Sequence, residues 1–212
     1  EVEYTLSSGL GTKTVYAYLK DMAGNISPEV IDTIELDTSK PTGNSISINN
    51  NDTYTTSTSV TLTLSSSGAT KMCISNTSTC SDWEDYATSK SHTLTSGLGT
   101  KTVYVQYKDA AGNISEVVND TISLVEKLTV PTQSGTLTYT GSSQTPSWSN
   151  YNSSKMTIGG TTSGTNAGSY NATFTPKTNY IWSDGTTGAK TVAWIIGKAS
   201  GSLSISPTSL SI

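Results

Sequence analysis

Gly97-Leu98-Gly99-Thr100-Lys101-Thr102-Val103-Tyr104-Val105-Gln106-Tyr107-Lys108-Asp109-Ala110-Ala111-Gly112-Asn113-Ile114-Ser115 is the stretch that decides the fold. Val103, Val105 and Tyr107 alternate with Tyr104, Gln106 and Lys108, and period-two alternation of β-branched and aromatic residues marks a strand buried on one face. The following Asp109-Ala110-Ala111-Gly112-Asn113 predicts a turn, because Gly accepts a positive φ and Asp and Asn bond nearby backbone amides. A closing strand is expected over Val117–Leu124. The passage occurs twice: Thr5 to Leu36 and Thr93 to Leu124 match at 23 of 32 positions, 88 residues apart. Ala17/Val105 and Leu19/Tyr107 stay apolar between copies while Tyr18/Gln106 changes, as an inner and an outer face would. A period this long is a whole domain, since solenoid units run to roughly 20–50 residues.

The spacing divides the chain into modules. Residues 1–38 are the C-terminal part of one module and 39–126 a complete one, with strands at Ser45–Ile48, Val60–Leu64, Thr70–Ile74, His92–Leu94, Lys101–Lys108 and Val117–Leu124. Residues 127–199 form a glycine-rich β module in which Tyr170, Ala172 and Phe174 alternate inward, Thr191–Ile196 closes the sheet, and Gly159-Gly160 and Asp184-Gly185 mark turns. Residues 200–212, with Ser202-Leu203-Ser204-Ile205-Ser206-Pro207, look like the start of a further module, so the chain is expected to be a piece of something longer. Proline in the junctions Asp37–Pro41 and Glu126–Pro131 limits swinging. The expectation is therefore an all-β chain of β-sandwich domains in an elongated array, each adding roughly 30–40 Å.

Composition narrows the function classes. Ser and Thr make up 73 of 212 residues and charged residues 13%, yet apolar residues fall in short alternating runs, as in Thr-rich β proteins. A net charge of −4 without a basic run gives nucleic acid no electrostatic footprint. No run approaches 18 apolar residues, so no membrane insertion is expected in this segment.

Three blocks carry a family resemblance. Gly99-Thr100-Lys101-Thr102-Val103-Tyr104-Val105, Asp109-Ala110-Ala111-Gly112-Asn113-Ile114-Ser115 and Leu36-Asp37-Thr38-Ser39-Lys40-Pro41 resemble bacterial immunoglobulin-like repeats of large surface proteins and phage structural proteins. Tyr139-Thr140-Gly141-Ser142, Lys155-Met156-Thr157-Ile158-Gly159-Gly160-Thr161, Thr165-Asn166-Ala167-Gly168-Ser169-Tyr170 and Tyr180-Ile181-Trp182-Ser183-Asp184-Gly185 resemble a second, glycine-rich, mostly-β bacterial (MBG-like) family that often accompanies them. The tail from Ser202 resembles another bacterial immunoglobulin-like group. Such modules specify fold better than task.

The candidate chemistry is sparse. Cys73 and Cys80 flank a six-residue polar loop, which favours a local disulfide over free thiols, and metal binding least, since zinc wants four ligands. Asp21, Asp37 and Asp109, with the Asn50-Asn51-Asp52 cluster, suggest calcium at module junctions, as in some of the resembled adhesins, against the plainer expectation that Asp21 and Asp109 cap their turns. No other cofactor is expected. Trp148, Tyr180 and Trp182, with Tyr151 and Trp194, suggest a sugar platform, against the commoner role of aromatics as core anchors. His92 is the single histidine and has Tyr4 as its counterpart, so no Ser-His-Asp set is proposed and no enzyme is expected. The leading expectation is a non-enzymatic spacer segment of an extracellular bacterial surface protein, an adhesin-like stalk. The alternatives are a bacteriophage tail or capsid component with weak adhesion to host glycans, or a carbohydrate-binding module. Partners would be neighbouring modules of the same chain and surface glycans, at a cell or virion surface.

Overall fold

The computed structural model describes residues 2–201, so the expected module start at Ser202 lies outside the described residues. Strands follow in chain order: β1 Gly11–Ala17, β2 Val30–Leu36, β3 Thr42–Ile48, β4 Tyr54–Thr55, β5 Ser59–Ser67, β6 Lys71–Ser75, β7 Glu84–Asp85, β8 Ser89–Thr93, β9 Gly99–Lys108 and β10 Val118–Leu124. The remainder are β11 Glu126–Leu128, β12 Thr132–Ser134, β13 Leu137–Thr138, β14 Ser147–Ser149, β15 Met156–Gly160, β16 Gly168–Pro176, β17 Tyr180–Trp182 and β18 Lys190–Gly197. The all-β expectation holds. Within the described residues two compact units result: 2–53, 57–96 and 100–122 form one, and 54–56, 97–99 and 123–201 the other.

In the first unit, sheet β3-β5-β8 faces the sheet containing β10-β9-β6-β7. One core closes between them, from Ile48, Val60, Leu62 and Leu64 on one side to Met72, Val103, Val105, Tyr107 and Ile122 on the other. Alternation along β5 and β9 is what supplies these residues, every second side chain pointing inward. Two polar contacts tie sheet to sheet: the Tyr107 hydroxyl donates to Ser45 O at 2.7 Å, and the Ile48 N–H donates to Asp120 Oδ2 at 2.8 Å. The six expected strands are present, with ends shifted by a few residues. The two-residue strands β4 and β7 were not foreseen, since so short a run shows no periodicity.

β1 and β2 pair antiparallel from Gly11↔Leu36 to Ala17↔Val30. They belong to the same unit, yet Val30, Ile31 and Ile34 stand exposed.

The second unit packs Leu128, Met156, Ala172, Phe174, Trp182, Trp194 and Ile196 into its own core. Sheet β13-β18-β16-β15 carries the expected inward Ala172 and Phe174, with Tyr170 packed at the core's margin. Outside that sheet, Gln133 acts as a substitute strand. Its Nε2 donates to Ile195 O at 3.0 Å and its Oε1 accepts the Ile195 N–H at 2.8 Å, so a side-chain amide satisfies backbone groups of β18.

Candidate functional site

The repeated turn is built alike in both copies. Asp109 Oδ1 accepts the Asn113 N–H at 2.8 Å and its Oδ2 accepts Asn113 Nδ2 at 2.9 Å; Asp21 and Asn25 repeat this at 2.8 and 2.8 Å. These bonds hold both carboxyl groups below the usual carboxylate range, the asparagine side-chain amide contributing most. Asp37 is engaged too, its Oδ1 accepting the Ser39 N–H at 2.8 Å. The three acids proposed for calcium are thus turn-capping groups. Among the described residues, no three His, Cys, Asp or Glu side chains converge in a way that could hold a metal ion. One bond was not anticipated: Asn113 Nδ2 also donates to Asp37 O at 3.0 Å, fastening the segment ahead of β3 to the turn after β9. The Asp-Ala-Ala-Gly-Asn motif accounts for its own turn but leaves one amide hydrogen over, and that surplus donor was the available sign.

Cys73 and Cys80 are joined, with Cα atoms 5.9 Å apart, inside the usual disulfide range. The bond pins the loop that follows β6. Asn76, within that loop, directs Nδ2 to Thr93 O at 3.0 Å and so presents Oδ1 to His92 Nε2 at 3.1 Å. With the amide so oriented, neutral His92 carries its proton on Nε2. Burial holds this imidazole below its ordinary pKa of about 6.5. The folded state therefore resists protonation, while the unfolded chain takes up a proton as pH falls below that value. Stability contributed by neutral His92 is present above pH 6.5 and declines as pH drops towards the folded pKa. Replacing His92→Gln is expected to remove part of the fall in urea midpoint between about pH 7 and 5; an unchanged pH profile would show that His92 does not contribute.

The aromatic residues proposed as a sugar platform divide between core and margin. Trp182 and Trp194 are both 0% exposed, with indole N–H groups donating to Gly188 O and Thr161 O, each at 2.7 Å. Trp148 packs edge-on against Phe174 with centroids 4.8 Å apart, and Tyr180 lies half-buried against the same core. A sugar cannot stack on Trp182 or Trp194, which the core covers, whereas Trp148 and Tyr180 keep part of their surface in solvent. Sequence reading missed this division because alternation identifies inner positions only within a strand, and Trp182 lies on a three-residue strand.

No family model matches the sequence, and no curated protein matches it. Among solved structures the chain is similar to the fibronectin(III)-like modules of Clostridium thermocellum CbhA. The identity is 10% and the TM-score 0.31, over 73% of this chain and 95% of that chain. A likeness of that strength carries no argument about function.

The sulfurs are bonded to each other, His92 meets an amide, and Asp184 accepts from Thr186 and Lys190, which holds its carboxyl well below the usual range. Among the described residues no helix is long and apolar enough to cross a membrane.

Proposed function

We propose that the chain is a non-enzymatic structural segment, a spacer within an extracellular bacterial surface protein that holds a binding domain away from the surface. The observation that carries this reading is that each β unit closes on its own hydrophobic core, one including Tyr107 and the other Trp194. Units with hydrophobic cores of their own can be strung together for reach and repetition. The Cys73–Cys80 bond supports an oxidising setting, since disulfides persist outside the reducing cytoplasm. Polar residues with potential chemistry are instead engaged in turns and loops, which fits a mechanical role.

Stretching the chain between its ends by single-molecule force spectroscopy tests this. Two discrete unfolding steps are expected. Reduction should lengthen one of them by about 2 nm, the contour of the seven-residue interval that the disulfide locks. Smooth extension without steps would contradict a mechanical spacer.

A further inference from the structure

The β1–β2 hairpin has every feature of the β9–β10 hairpin except its cover. Val103, Val105 and Tyr107 are buried under the side chains of β3 and β5. Their counterparts 88 positions earlier are a half-buried Val15, an exposed Ala17 and a 75% exposed Leu19. Ile34, the counterpart of the buried Ile122, is exposed as well.

The backbone edge tells the same story. The Leu19 N–H donates to Ser27 Oγ and Leu19 O accepts the Ser27 N–H. Alternation then turns the amides of Tyr18 and Lys20 to the opposite edge. In the second copy that edge carries β6, in the register Lys71↔Lys108, Met72↔Tyr107, Cys73↔Gln106 and Ile74↔Val105. The turn adds a third sign. Asn113 Nδ2 holds a main-chain carbonyl, Asp37 O, whereas Asn25 Nδ2 is paired with Asp21 alone among the described residues.

We infer that the hairpin is a receptor completed by a segment of the same polypeptide joined ahead of Tyr4, folding as Asp37–Thr93 folds in the second copy. One of its strands runs antiparallel along Tyr16–Lys20, with apolar residues opposite Ala17 and Leu19 where Ile74 and Met72 stand opposite Val105 and Tyr107. A second sheet covers Val15, Leu19 and Ile34, and a backbone carbonyl sits on Asn25. The cover comes from the same polypeptide because β8 leads through Thr93 and Leu94 into β9, and Thr5 and Leu6 repeat those residues ahead of β1. This goes beyond the spacer reading, since it holds whatever the array is for.

The test replaces Glu1–Glu3 by a second copy of residues 38–91 joined directly to Tyr4, restoring the repeat spacing. Amide hydrogen exchange at Tyr18 and Lys20 is expected to slow by at least about a hundredfold relative to the original chain. Leu19→Asp in the extended chain should abolish that protection while leaving exchange at Gln106 and Lys108 unchanged. Exchange at Tyr18 and Lys20 matching the original chain would overturn the proposal, as would protection that survives Leu19→Asp. Protection appearing in the original chain with rising concentration, together with dimer formation, would also overturn it by assigning the cover to a second copy.

Discussion

Trp194→Ala is expected to lower the stability of the second unit by about 3–5 kcal/mol, a large share of what a domain of this size possesses. The indole is 0% exposed and stacks on Tyr170 with centroids 4.5 Å apart and planes 22° apart. Truncation leaves a cavity that the surrounding β16 and β18 cannot close without breaking their register, in which Tyr170 pairs with Trp194. It also strips Thr161 O of its indole donor. Urea unfolding followed by circular dichroism measures the loss, and the transition of the first unit should keep its midpoint. Trp194→Phe preserves a ring but not the N–H, so a smaller loss separates packing from hydrogen bonding. If Trp194→Ala cost under about 1 kcal/mol, Trp194 would not be the anchor of this core.

Tyr107→Ala and Leu19→Ala occupy the same repeat position and are expected to behave oppositely. Tyr107 is 0% exposed, meets Tyr86 edge-on with centroids 5.8 Å apart, and bonds Ser45 O across the sandwich. Burial, with Tyr86 beside it, pushes its phenol well above the ordinary range, so it stays neutral across physiological pH. Its removal is expected to cost about 3–5 kcal/mol in urea unfolding, as for other buried aromatics. Leu19→Ala removes a side chain that is 75% exposed and should fall within about 0.5 kcal/mol of no change. Equal losses at the two positions would mean that the first hairpin is covered after all. The comparison is informative because the local sequence is nearly shared, so a difference reports context alone.

Much of the strand pattern was legible in the residues. β9, β16 and β18 follow from alternation, and the turn after β9 follows from Asp109, Gly112 and Asn113, because strand period and turn chemistry depend on neighbours a few positions away. The candidate site was less legible. Cys73 and Cys80 were recognisable as a pair, but the Asn76–His92 contact joins residues 16 apart and has no local signature. Asp21 and Asp109 were placed on turns and Asp37 at a junction, yet which amides their oxygens would accept depended on the folded backbone. Trp194 lies in an alternating strand that marked it as inner, whereas Trp182, on a three-residue strand, gave no periodic sign that it too would be buried.

The two copies separate local from tertiary control. Twenty-three shared residues of 32 fixed the same hairpin twice, with the same Asp–Asn turn at nearly identical distances. Those bonds close within a few residues, so the text alone suffices. Burial differs because it requires β3, β5, β6 and β8 to lie against the hairpin, and those strands accompany only the second copy in the described structure. Apolar area is removed from water only when distant chain arrives to cover it, which is why Tyr107 is core and Leu19 is surface.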